Sequence, residues 1–152
     1  MTATTTTRDE FIERMGLVFE ADGLSRTAGR ILGLIVFEGG PISFSEIGRS
    51  LEISRGSVST NTRFLERMGV IERVAIKGDR QDHFRLADAP YARLLEGYAG
   101  RMKKARGVIA DAKNDLGSGD EARKQRLHEL DEFYAALTES FEGLARRFSD
   151  KR

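Results

Sequence analysis

The stretch from Ile42 to Leu86 leaves this chain few folds to adopt: ISFSEIGRSLEISRGSVSTNTRFLERMGVIERVAIKGDRQDHFRL. Ser43 and Glu46 have the Ser-x-x-Glu spacing of a capping box, which opens a helix. That helix is short, roughly Phe44 to Leu51, with Ile47 and Leu51 facing inward. The turn Glu52-Ile53 leads to Ser54, a second cap. The next helix runs to about Met68, with Val58, Leu65 and Met68 as its inner stripe. Gly69 suits the residue after its end, where a left-handed backbone costs glycine nothing. Val70, Ile71, Val74 and Ile76 suit a strand, Lys77-Gly78-Asp79-Arg80 a hairpin tip, and His83 to Leu86 the returning strand.

Two short helices, a tight turn and a hairpin make a winged helix-turn-helix, a shape that places one helix in a DNA major groove. The flanking sequence is helical. A first helix is expected over Asp9 to Glu20, after a Thr-rich stretch over residues 1–7 that should fray. Ser25 caps a second helix carrying Ala28, Ile31, Leu32, Ile35 and Val36, which Gly39-Gly40-Pro41 ends. After Pro90, the series Tyr91, Leu94, Tyr98, Met102, Ala105, Ile109, Ala112 and Leu116 marks one long helix, broken at Gly117-Ser118-Gly119. A last helix carries Leu127, Leu130, Phe133, Tyr134, Leu137, Phe141, Leu144 and Phe148, a seam sustained over three heptads.

The expected fold is therefore mainly α with a small β-hairpin wing: a winged helix-turn-helix with long dimerisation helices. Residues 1–152 form a single domain in this reading. The DNA-binding module covers 22–88, and the helical dimerisation region covers 8–21 and 89–149. Part of the terminal seam can cover the preceding helix and the first helix, but a thin winged module cannot bury it all; the alternative is a helical hairpin within one chain, and a homodimer with interleaved terminal helices is expected. Its two-fold symmetry suits a pseudo-palindromic double-stranded operator.

Composition narrows the function. With no Cys, disulfides, thiol redox sensing and cysteine metal sites are excluded. His83 and His128 are too far apart in sequence for a local metal motif. No nucleophile elbow, phosphate loop or paired metal motif is present, so neither catalytic residue nor metal or other cofactor is expected. The formal net charge is only +1, and from Arg49 to Arg85 eight basic residues face five acidic ones. Placement, more than overall charge, carries the case for nucleic acid. No run reaches the length of a membrane span, and the opening MTATTTTRDEF has no signal-peptide pattern, so a cytoplasmic protein without a membrane partner is expected.

The start of the expected recognition helix departs from an ordinary solvated face. Such faces carry Glu and Lys, whereas Arg55, Ser57, Ser59, Thr60, Asn61 and Arg63 are short hydrogen-bonding groups and cations around a glycine. All are expected to face DNA, with Arg55 and Arg63 pairing guanine or phosphate and Asn61 pairing adenine. Lys77, Arg80 and Gln81 at the wing tip are expected to meet the backbone or minor groove. Arg73 and Arg85 are weaker candidates on the strands. The alternative is a winged module that binds protein instead of DNA; its face should be apolar or acidic.

These residues resemble the MarR family of transcriptional regulators, and within it the GbsR-like branch. Asp22 through Leu34 (DGLSRTAGRILGL) is similar to that branch's mark in the second helix. Ser54 through Ser59, then Leu65 through Arg73, resemble its recognition helix and first wing strand; Gly78 through Phe84 resembles its wing. The likeness covers about Glu10 to Leu95. It implies a dimeric winged-helix DNA binder, in most members a repressor, with Ser57, Ser59, Thr60 and Asn61 on the groove-facing helix and Arg80 on the wing. It also implies a small-molecule effector as a partner in some members. A choline-like ligand would need an aromatic cage; Phe11, Phe19, Phe37, Tyr91 and Tyr98 are the aromatic residues available near the module's junction with the long helix.

Overall fold

The computed structural model describes residues 2–149. Six helices and three short strands follow in the order α1 (Ala3–Ala21), α2 (Arg26–Glu38), β1 (Ile42–Ser43), α3 (Phe44–Leu51), α4 (Arg55–Arg67), β2 (Ile71–Ala75), β3 (Asp82–Leu86), α5 (Pro90–Asp115) and α6 (Glu121–Ser149). They form two compact units that divide between Pro90 and Tyr91.

In the first unit α1 packs along α2. Glycine makes this contact close. A Cβ on Gly29 would stand 2.6 Å from the Met15 carbonyl oxygen and 2.8 Å from Phe19 Cγ. Glu13 on α1 pairs with Arg30 of α2 at 2.7 Å, and Arg30 also donates to the Leu51 carbonyl at the end of α3. The helix-turn-helix pair thus hangs on α2. Ile31, Leu34 and Ile35 of α2, Ile47 of α3 and Val58 and Leu65 of α4 make its dry core.

The turn between α3 and α4 puts Glu52 at φ 55°, a left-handed conformation in a residue with a side chain. The Ile53 amide donates back to Gly48 O at 3.0 Å and closes the turn. Gly69, at φ 78°, ends α4 as its sequence position predicts.

The sheet order is β1-β3-β2, all antiparallel. β2 and β3 form the expected wing, with Arg73 opposite Phe84. β1 was not expected. Ile42 pairs with Phe84 and Ser43 with His83, while Ser43 Oγ accepts from the Glu46 amide. Ser43 therefore ends a strand and caps a helix at once, and two residues are too few to show strand alternation. The Thr-rich stretch is a second departure. It is helical from Ala3, with Thr2 as N-cap and the Thr7 hydroxyl bonded to the Ala3 carbonyl; Met1 lies outside the described residues.

The second unit contains α5 beyond Pro90 and all of α6. Arg106 donates to Asp131 at 2.9 Å, and Tyr98 stacks on Phe141 with ring centroids 5.5 Å apart. The Arg106 guanidinium holds the Asp131 carboxyl below the ordinary carboxylate range. Much of the α6 seam stays uncovered: Phe133 is 58% exposed and Leu130 42%. No helix among the described residues is long and apolar enough to cross a membrane.

Candidate nucleic-acid interface

The interface is built on α4. Ser54 caps it by accepting from the Ser57 amide at 3.1 Å. Val58, Thr62 and Leu65 fix the inward side, where the buried Thr62 hydroxyl is satisfied by Val58 O. The helical period then leaves Gly56, Thr60, Arg63 and Arg67 on the outer face, all of them exposed. Ser57 and Ser59 border this face, half-buried. Arg63 donates to Ser59 Oγ at 2.6 Å, so its guanidinium lies along the helix surface. Arg55 sits with its guanidinium carbon 5.0 Å from the centre of the Phe44 ring, which holds the cation at the start of α4.

Asn61 departs from its expected place. It is 8% exposed and bonded to Ser25 Oγ and Ser57 O. One residue beyond the outer stripe turns its side chain toward α2, and an amide satisfied there has no group left aimed at a base. The expectation that Asn61 shares the exposed side with Thr60 and Arg63 is therefore corrected.

The wing is tied to the fold beside its tip, while Lys77 and Arg80 stay exposed. Gln81 Oε1 accepts from the Ser45 amide at 3.0 Å, tying the wing to the first turn of α3. Asp79 Oδ1 accepts from the Gln81 amide, and His83 Nε2 lies 3.4 Å from Asp79 Oδ2. Gln81 was expected at the tip as a contact residue; its side-chain oxygen is instead engaged within the fold. Lys77 and Arg80 are exposed and make no ion pair among the described residues. Arg73, by contrast, pairs with Glu66 and Asp82, and Arg85 pairs with Glu72.

Two adjoining clefts join these parts. One, of about 260 Å³, is lined by Phe44, Arg55, Arg80, Gln81 and Asp82. The other, of about 230 Å³, includes Phe44, Arg49 and Arg55. The fold thus brings Arg55 and Arg80 from distant parts of the sequence to one concavity. Arg49 and Arg67 were not singled out in the sequence. Arg67 follows Arg63 by one helical turn, a spacing that could have found it; Arg49 had no such signal, since only the packing of α3 on α4 brings it beside Arg55.

Of the five aromatic residues available for a cage, Phe11, Phe37, Tyr91 and Tyr98 pair inside their own units. Phe11 meets Phe37 with centroids 6.0 Å apart, and Tyr91 meets Phe148 at 6.3 Å. No cluster of three or more metal-ligating side chains occurs among the described residues.

Comparison with known proteins agrees with this architecture. Residues 22–82 match the family model described as MarR family. The chain is 35% identical over 149 residues to the HTH-type transcriptional regulator MmpR5 of Mycobacterium tuberculosis, covering 93% of this chain and 87% of that protein. It is 27% identical over 96 residues to the putative HTH-type transcriptional regulator YvaV of Bacillus subtilis, covering 63% of this chain and 54% of that one. A crystal structure described as a transcriptional regulator superposes with a TM-score of 0.85 at 32% identity, covering 95% of this chain and 99% of the other. A winged helix-turn-helix followed by two long helices, matched along nearly its whole length by such relatives, makes this chain a member of the MarR family of transcriptional regulators and not an enzyme.

Proposed function

We propose that the protein is a homodimeric, sequence-specific binder of double-stranded DNA that represses a nearby gene or operon from the cytoplasm. The reading is carried by one observation: Arg55 at the start of α4 and Arg80 on the wing line the same cleft, beside an outer helix face made of Thr60, Arg63 and Arg67. Such a surface spans a groove and its adjacent phosphates. In this mechanism the first turns of α4 enter the major groove. Arg63, with Ser57, Ser59 and Thr60, faces base edges there, a guanidinium matching the two acceptors of guanine. Arg55, Lys77 and Arg80 neutralise phosphates and set the register. Gln81 contributes by holding the wing against α3.

The dimer is supported by the exposed apolar residues of α6, which would meet their equivalents in a second copy. Residues 22–88 are the DNA-binding module in this reading, and 8–21 with 89–149 the dimer frame. Within the family, the segment Asp22 to Leu34 supports assignment to the GbsR-like branch. A small-molecule effector would act by binding one dimer geometry better than another.

The test is binding to a duplex from the chain's own upstream region, at two salt concentrations, against a scrambled duplex. The expected result is a preference of at least about a thousandfold for the native duplex, the lower range for specific readers. Equal affinity for both duplexes at both salt concentrations would overturn sequence-specific recognition.

A further inference from the structure

Asn61 stands between residues assigned to DNA, yet its side chain is fully engaged elsewhere. Ser25 Oγ donates to Asn61 Oδ1 at 2.6 Å, and Asn61 Nδ2 donates to Ser57 O at 2.8 Å. The orientation of the amide is forced. Ser57 O can only accept, so nitrogen must face it; oxygen then faces Ser25, whose hydroxyl has a proton to give. Ser25 Oγ meanwhile accepts from the Ala28 amide at 3.2 Å, as the N-cap of α2. The bonds run in one direction, from the first turn of α2 through Ser25 and Asn61 to the first turn of α4.

Among the described residues no other side-chain hydrogen bond or ion pair joins α2 or its cap to α4. Ile31, Val58 and Leu65 are buried and fix which side of α4 faces inward, but burial is non-directional and leaves a small rotation of the helix less constrained. A buried amide bonded on both sides is directional. Its partner element is also fixed, since α2 lies against α1 at Gly29 and holds the end of α3 through Arg30.

We propose that Asn61 is a positioning residue: with Ser25 it clamps α4 to the N-terminus of α2, sets the rotation at which Thr60 and Arg63 meet the groove, and touches no base itself. The proposal rests on the reading of α4 as the DNA-binding helix.

The test uses full-length Ser25→Ala, Asn61→Ala, the double variant and Ser25→Thr. Each is measured on the upstream duplex, on a scrambled duplex and on a set of duplexes changed at one base pair each. Melting of the DNA-free proteins checks that each is folded at the assay temperature. If the parent does not prefer the upstream duplex, the reading of α4 fails, and the clamp with it. If it does, Asn61→Ala and Ser25→Ala are each expected to weaken binding to the upstream duplex about tenfold, with the same pattern of change across the base-pair variants. The double variant should be no weaker than Asn61→Ala, because both remove one linkage. Ser25→Thr keeps both the hydroxyl donor and the cap and should bind like the parent. Three outcomes overturn the clamp while leaving DNA binding intact: parent-like affinity in both alanine variants, losses that multiply in the double variant, or discrimination lost in Asn61→Ala at a base pair where Ser25→Ala keeps it. Should Asn61→Ala fail to fold, Ser25→Asp replaces it. Asp still caps Ala28 but has no proton for Asn61 Oδ1, so a tenfold loss is expected and parent-like binding overturns the proposal.

Discussion

Arg63 and Arg80 carry the same charge and are held differently. Arg63 is braced by Ser59 Oγ on a helix that is itself packed on a dry core, while Arg80 stands at a hairpin tip with no ion pair among the described residues. A braced guanidinium loses less freedom on meeting a pair of base acceptors, whereas a free one suits a diffuse contact with phosphate. Arg63→Ala should therefore cost about 1–3 kcal/mol on the native duplex and relax discrimination at one base pair. Arg80→Ala should weaken native and scrambled duplexes by similar factors and lower the salt slope by roughly 0.9, the signature of one lost phosphate. Paired titrations of the two variants across a salt series check this. A loss at Arg80 confined to the native sequence would assign it to bases or groove shape.

At the scale of elements, the contact between α1 and α2 depends on missing side chains. Gly29→Ala would push a methyl group against the Met15 carbonyl, a backbone atom that no rotamer change can move. Overpacking costs about 1–3 kcal/mol, against which better helix propensity returns about 1 kcal/mol. The expected outcome is a net loss of stability and a lower melting midpoint; a midpoint at or above the parent's would show that α1 shifts freely. Between α5 and α6 the lowered Asp131 value works in one direction. Its contribution is present at neutral pH and is lost as pH falls through the lowered value. The helices were legible in the sequence because caps and apolar periodicity are local: Ser25, Ser43, Ser54 and Gly69 each do what their spacing predicts. The hairpin was legible for the same reason. β1 was not, because its pairing with Phe84 and His83 is remote in sequence. The inward turn of Asn61 was not, because a polar residue among polar residues carries no local sign of burial. Its partner Ser25 is legible as a cap, but nothing local shows that one hydroxyl serves two bonds. Arg55 and Arg80 were each legible as cations, but their shared cleft appears only after folding.

For the whole molecule, the α6 seam sets what a single chain can do alone. Exposed Leu130, Phe133 and Leu144 together are costly to leave in water. Sedimentation at micromolar concentration should give the mass of two chains, with an interface above about 2,000 Å², as in obligate pairs. Phe133→Asp should drop the mass to one chain while keeping its helicity, since that side chain is largely exposed in one copy. A single-chain mass for the parent would overturn the dimer. The same exposed strip bears on gene dosage. If two copies are needed to hold an operator, the active form rises with the square of chain concentration while dimer is scarce. Halving synthesis would then remove more than half of the repression, and the cell would read a small change in expression as a steeper change in output.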